Sequence, residues 1–306
     1  MNKSFTLIEI LVVIVVIGVL SAFILVGMSS ITSSANIAKT QAFLNSINNS
    51  LLLGRMSQWK LDETGTTTTT IDSWGTNNGA LTNFVFTDAN SGWRTGSQCV
   101  SGGCLSLDGI NDYIDCGAGS ISSLNMGTGN FSLSIWIKGD TSVAYTQLIT
   151  KANNIWKLAV GWEGYELCLS NRRYNLNISD GTNGNVDLQN PGNTTLLNNV
   201  WYNILVSYTH GVGWTYYLNG VTDGAVSKTN IENINSTYSL KFNMNGSNYF
   251  NGLIDDIRIY NQAISTSEIN QNYFVGINKL LKNNGIALDE FNQRLVELKN
   301  NIGSVD

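Results

Sequence analysis

The residue in this chain with the most unusual chemical setting is an acid in a stretch that excludes water. Glu9 is the sole charged residue between Phe5 and Met28. An ionised carboxylate in hydrocarbon is costly and calls for a partner. A second acid, Asp255, shares the alternation of Leu253, Ile257 and Ile259 in an apolar strand pattern. Buried there, it needs a backbone N–H, an arginine such as Arg258, or a cation. Cys99 and Cys104 bracket the short loop Val100-Ser101-Gly102-Gly103, which suits a cystine-closed hairpin in an exported chain. A pairing of Cys116 with Cys168 stays open, and a single histidine, His210, argues against a zinc site. Trp162, Tyr165, Trp214 and Tyr217 can stack on sugar rings if exposed, and are core residues otherwise. Glu163 and Glu166, three residues apart, fall on opposite faces of a strand, so they do not form an acid–base pair.

The elements that must position these groups begin with the apolar run itself. About twenty near-continuous apolar residues span a hydrocarbon core of roughly 30 Å as a helix. Beyond it, Ile31, Ala35, Ala38, Ala42, Ile47 and Leu51 recur near helical spacing, and Gly54 offers a stop. From about Met56 short alternating runs take over, separated by Gly, Asn, Ser and Asp. Phe131, Leu133, Ile135 and Ile137 alternate with Ser132, Ser134, Trp136 and Lys138, and Tyr202, Ile204, Val206 and Tyr208 repeat the pattern. Trp214, Tyr216 and Leu218 run into Asn219-Gly220, a strong hairpin turn. Many such strands imply a two-sheet antiparallel sandwich. After Ser265 the period turns helical through Ile269, Tyr273, Ile277 and Leu280, is broken at Gly285, and resumes through Phe291, Leu295 and Leu298. The expectation for this tail is a helical pair packed on the sandwich or the long helix, with a subunit contact as the alternative.

Composition narrows the class. Charged residues make up 13% of the chain and hydrophobic ones 42%, which fits a globular exported protein rather than a disordered one. The net charge of −5 has the wrong sign for non-specific phosphate binding, so a nucleic-acid partner is disfavoured. No phosphate loop, redox motif or metal cluster is present in the sequence.

The segment Lys3-Ser4-Phe5-Thr6-Leu7-Ile8-Glu9 resembles the prepilin cleavage motif of type IV pilins and type II secretion pseudopilins. The resemblance implies cleavage between Ser4 and Phe5 by a prepilin peptidase and N-methylation of Phe5. It also implies an assembly role for Phe5 and Glu9, the carboxylate meeting the N-terminal ammonium of a neighbouring subunit. Ser4 stands where the family usually has glycine.

The body, roughly 57–265, resembles the laminin-G-like, or concanavalin A-like, jelly-roll family. The residues carrying this are Trp59 to Glu63 with Asp72 to Gly79, Cys104 to Ile114, Phe131 to Ile137, Trp201 to Asn203, Tyr217 to Gly220, and Phe250 to Ser265. The resemblance implies recognition of carbohydrate or protein, and Ca²⁺ as the candidate cofactor. Asp72 and Asn77 match a calcium-associated loop, with Asp255 as a further oxygen ligand; the alternative is an Asx turn at Asp72 and backbone donors on Asp255. Glycoside hydrolases share the fold, but their Glu-x-Asp-x-Glu strand is missing, and the expectation is that the chain is not an enzyme.

The resulting organisation is α+β, mainly β: a leader at 1–4, a transmembrane and filament helix at 5–55, a jelly-roll sandwich at 57–265, and a helical tail at 266–306. The expected function is that of a minor or specialised type IV pilin displaying a binding domain, with a secretion or competence pseudopilin as the alternative. Its partners would be other pilin subunits, the inner membrane, the prepilin peptidase, and an extracellular glycan or protein. Its location would be the cytoplasmic membrane as precursor, then a filament or the cell surface.

Overall fold

The computed structural model describes residues 54–117, 124–152, 162–181, 191–244 and 248–302. The chain divides into two compact units at Leu52/Leu53, and all described residues lie in the second. Ser4, Phe5 and Glu9 lie outside the described residues.

Two antiparallel sheets make up the sandwich. The first contains β1 (Arg55–Trp59), β4 (Gly92–Thr95), β5 (Gly103–Asp108), β7 (Phe131–Gly139), β11 (Tyr202–Thr209), β12 (Gly213–Leu218), β13 (Val221–Ser227) and β15 (Asn251–Tyr260). Its order is β13-β12-β11-β7-β15-β5-β4, with β1 also beside β15. The second runs β10 (Arg173–Asp180), β9 (Glu163–Ser170), β8 (Thr146–Ala152), β14 (Lys241–Phe242), β6 (Tyr113–Asp115), β3 (Gly79–Thr82), β2 (Thr69–Thr70). Arg55 and Met56 already belong to β1. The sandwich therefore opens two residues before position 57, and the segment 5–55 is not helical to its end. Gly54, in a turn with φ of 88°, leads into β1.

Alternation decides which side chains reach the core. Phe131, Leu133, Ile135 and Ile137 of β7 pair in register with Tyr208, Val206, Ile204 and Tyr202 of β11, and all eight join one buried cluster between the sheets. Asn219 and Gly220 take φ of 52° and 79°, the two positive values that a tight turn between β12 and β13 requires.

Trp136, on the outer side of β7, is just 2% exposed because two helices cover it. Helix α1 (Thr266–Lys282) starts at a capping box. Ser265 Oγ accepts from the Glu268 amide, and the Glu268 carboxylate accepts from the Ser265 amide. The break falls beside Gly285, but it is Asn284 that adopts the left-handed conformation, with φ of 57°. Helix α2 (Leu288–Ile302) then returns. Trp136, Trp201, Tyr273, Ile277, Leu280, Ile286, Phe291 and Leu298 form a second core on this face. The Trp136 ring stacks on Tyr273 at 5.6 Å and meets Trp201 edge-on at 6.5 Å. Arg294 bridges the layers, donating to Tyr273 Oη, Trp201 O and Glu290 Oε1. The helical pair thus packs on the sandwich through an aromatic layer.

Gly276 sets how closely α1 lies on the sheet. A β-carbon there would stand 2.2 Å from Trp136 Cζ2. Alanine gains about 1 kcal/mol of helix propensity, but overpacking a filled core costs about 1–3 kcal/mol. Trp136 is clamped between Tyr273 and Trp201 and cannot retreat, so the steric effect wins. Gly276→Ala should lower stability by about 1–2 kcal/mol, read as a lower urea midpoint; an unchanged or higher midpoint would show that the helix can lift off without cost.

Candidate functional site

The buried acids of the first sheet are concentrated where β15 is bulged. Asp255 and Asp256 fall at an irregularity in the β15–β7 register, and Asp256 has φ of 42°. The extra residue reverses the facing of the residues after it. Leu253 packs on the second core, whereas Ile257 and Ile259 lie in the sandwich core. The alternation that grouped Asp255 with Ile257 and Ile259 is therefore interrupted, and Asp255 turns towards the loop closed by Cys99 and Cys104.

That disulfide is formed, with both cysteines buried. Asp255 Oδ2 accepts from the amides of Val100 at 2.8 Å and Ser101 at 3.2 Å, and Asp62 Oδ1 accepts from Gly103 N at 2.8 Å. Carboxylates thus hold both arms of the loop. Burial first, and the neighbouring Asp256 second, push the Asp255 carboxyl well above the usual range. Asp256 goes the other way. Burial raises it, but the Arg258 guanidinium and the Gln58 amide hold it below the usual range. Arg258 grips both oxygens of Asp256 and donates to Asn272 Oδ1. Cys116 and Cys168 remain buried thiols outside the disulfide.

Asp72 and Asn77 do lie together. Asp72 Oδ1 accepts from the amides of Gln58, Trp74 and Gly75, and Oδ2 from Ser57 Oγ, Asn77 N and Asn77 Nδ2. Burial raises its pKa, yet these donors, Ser57 foremost, hold it below the usual carboxylate range. Six donors fill both oxygens, so Asp72 is a tie between β1 and the following loop. The calcium expectation for Asp72, Asn77 and Asp255 does not fit this arrangement. Asp255 takes its hydrogen bonds from a different segment, and among the described residues no group of three or more His, Cys, Asp or Glu is arranged to hold a metal ion.

The aromatic residues expected as sugar platforms are elsewhere. Trp162, Tyr165, Trp214 and Tyr217 are all buried, at 8% exposure or less. Tyr165 packs on Phe131 and donates to Leu124 O; Tyr217 Oη meets Thr266 Oγ1 beneath α1. None is open to solvent: Tyr165 and Trp214 belong to the core between the sheets, Tyr217 lies beneath α1, and Trp162 is 2% exposed. Glu166 is sealed as well, accepting from Tyr145 Oη, Gln147 Nε2 and Asn177 Nδ2.

Two cavities stand out. One, of about 100 Å³, lies by the disulfide loop between Gln58, Lys60, Asp62, Ser101, Asp256 and Lys279. The other, of about 350 Å³, is a groove between the β12–β13 turn, the 194–197 loop and α2. Ligand pockets span roughly 300–1,000 Å³, so of the two only the groove has room for more than water or a small ion. Tyr202, Leu218 and Val221 give it an apolar floor, and Asp223 and Glu297 give it acid groups. Asp223 is fixed by Tyr174 Oη at 2.5 Å, Thr194 Oγ1 at 2.6 Å and Thr194 N at 3.1 Å. Its lining comes from three distant segments, and the Asn219-Gly220 turn is the sole part with a signal in the sequence.

The order and register of the two sheets define a lectin-type jelly roll. A family model described as the concanavalin A-like lectin/glucanases superfamily matches residues 108–270, and a prokaryotic N-terminal methylation motif matches residues 1–25. The chain belongs to the concanavalin A-like lectin/glucanases superfamily and carries that motif. No curated protein matches it. Among solved structures it is similar to the ligand-binding domain of botulinum neurotoxin serotype D in complex with N-acetylneuraminic acid, at 15% identity, TM-score 0.50, covering 72% of this chain and 50% of that one. It is similar to the binding domain of Paraclostridial Mosquitocidal Protein 1, at 17% identity, TM-score 0.50, covering 72% and 52%. Domain 4 of AbnA, an extracellular GH43 arabinanase of Geobacillus stearothermophilus, in complex with arabinotriose, matches at 16% identity, TM-score 0.50, covering 72% and 98%. The chain spans about half the length of the toxin domains it matches. At these identities the likeness is one of fold.

One buried acid makes stability depend on pH. Asp112 is fully buried and accepts from Asp108 N at 3.1 Å. Burial first, then the charges of Asp108 and Asp88, push it from its ordinary 3.8 up to about 6. The protonated form is therefore favoured on folding. Its stabilisation is fully present below about pH 4 and is lost as pH rises through about 6, amounting to on the order of 3 kcal/mol for two units. Asp112→Asn should flatten that slope and raise stability at pH 7 by on the order of 1–3 kcal/mol, as followed by urea unfolding across this range; a variant less stable at pH 7 would show that the charged form is stabilised after all. At the bulge, Asp255→Asn should be nearly neutral, whereas Asp255→Leu, which strands the Val100 and Ser101 amides, should cost about 2–4 kcal/mol; equal losses in the two would show that charge, not acceptance, matters there.

Proposed function

We propose that this chain is a pilin-like subunit. Its N-terminal segment holds it in the membrane as a precursor, then enters a filament through Glu9, and its lectin-like domain binds glycan outside the cell. The observation that carries this reading is the presence of a prepilin methylation motif and a concanavalin A-like lectin fold on one chain. An acid at the fifth position of the mature chain, in an otherwise apolar run, supports assembly by pairing with a freed N-terminal amine. Among the described residues no helix is long and apolar enough to cross a membrane, so the anchor is assigned to the segment 5–28 on its sequence. A disulfide suits an oxidising location. That two of the similar folds were solved with a sugar supports glycan over other ligands. Binding rather than catalysis is favoured because Glu166 is locked in a buried hydrogen-bond cluster and faces away from Glu163.

The mature protein should begin at N-methylated Phe5, as mass spectrometry of purified filaments would show. Glu9→Ala should cut incorporation into filaments at least about tenfold, in line with the cost of leaving one buried charge unpaired, while domain stability stays the same. Wild-type incorporation by that variant, or a mature chain starting at any other residue, would defeat the assembly half of the proposal. A glycan array that stays blank with the full-length protein would defeat the lectin half.

A further inference from the structure

We infer that the groove between the β12–β13 turn and α2 is the saccharide site, and that it takes a neutral or amino sugar unit and refuses an acidic one. The inference rests on the lectin-like reading above and assigns it a place. The groove is the larger of the two cavities described, and its 350 Å³ accommodates about one or two sugar rings.

Its chemistry is one-sided. Asp223 and Glu297 line it, and no Lys, Arg or His does among the described residues. A carboxylate offers about four acceptor positions, and Asp223 receives three donors from Tyr174 and Thr194. Among the described residues these are its donors, which leaves one position for a ligand hydroxyl or ammonium, on a side chain already held rigid by its other bonds. Asp223 is 9% exposed, so a hydrogen bond formed there is shielded from water. The floor of Tyr202, Leu218 and Val221 matches the C–H face of a pyranose, whose hydroxyls would then point towards the two acids. A uronate or sialate would bring a third negative charge into the same space, with no cation among the described lining residues to meet it.

The site is also preformed. The Asn219-Gly220 turn is fixed because Asn219 accepts from Asn203 N and donates its amide to Asn203 O. Gly220 sits against α1 and α2, where a β-carbon would lie 3.0 Å from both Tyr273 Cβ and Leu298 Cδ1. The turn and α2 therefore keep their spacing without a ligand, so little ordering cost falls on binding.

The test uses the full-length chain in a detergent without a sugar headgroup, titrated with the glucosamine disaccharide, cellobiose and digalacturonate and read by saturation-transfer NMR. Binding of the first two and not the third is expected. Glu297→Lys should weaken the amino disaccharide about tenfold or more by reversing a facing charge, and Thr222→Trp, on the exposed rim, should abolish binding of both. Equal urea midpoints for the variants and the parent establish that the fold is kept. Binding that both variants leave intact overturns the groove and leaves the lectin-like reading on another surface. Preference for digalacturonate overturns the ligand class. Absence of binding to all three sugars overturns the inference too, and a glycan array that is blank as well takes the lectin-like reading with it.

Discussion

Two consecutive carboxyl groups buried in one strand cannot both ionise against each other in a low-dielectric interior, and the closing strand of the sandwich is built around that constraint. Arg258 takes Asp256 as a two-pronged partner, while Asp255, its carboxyl pushed well above the usual range by burial and by Asp256, accepts the amides of the disulfide loop. The bulge makes the division possible by aiming the two side chains at different neighbours. It also falls where β15 changes partners on one edge, from β5 over residues 251–254 to β1 over residues 257–260. First strand, last strand and disulfide loop are thereby fastened at one point.

A second layer grows outward from the same sheet. Trp136 and Trp201 would be large exposed apolar groups on a bare sandwich, and the two C-terminal helices bury them with Tyr273, Ile277 and Phe291. Burying side chains of this size contributes roughly 1.5–3 kcal/mol each, so the helices are integral to the domain. They reach the β12–β13 turn, where Gly220 lies against Tyr273 and Leu298, and the groove opens beside that contact, between the hairpin and α2. The groove is therefore a by-product of how the second core is closed, which explains why its walls come from a loop, a hairpin and a helix far apart in the chain.

Much of the architecture was legible beforehand because period-two alternation is a direct imprint of burial. The β7 and β11 patterns, the Asn219-Gly220 turn and the helical period after Ser265 all correspond to observed elements. What escaped was anything that breaks a period or depends on distant segments. The bulge shifts the phase of β15 and so redirects Asp255. The aromatics at 162, 165, 214 and 217 carry the same letters whether they face sugar or core, and only the covering layers decide it. Asp72 resembled a cation ligand because a carboxylate saturated by amides and one saturated by a metal share the same neighbouring glycines and asparagines. Of the groove, the Asn219-Gly220 turn alone left a mark in the sequence.

The junction at Gly54 has a mechanical meaning. Any pull on the chain from its N-terminal side arrives at β1, which is laddered to β15 on one edge. On its other edge it is stitched to the 72–77 loop by Asp72 and by the Trp59 indole on Asn77 O. A pull along the axis of β1 would have to break a row of bonds together instead of one after another. The domain is thus entered through a strand braced on both edges.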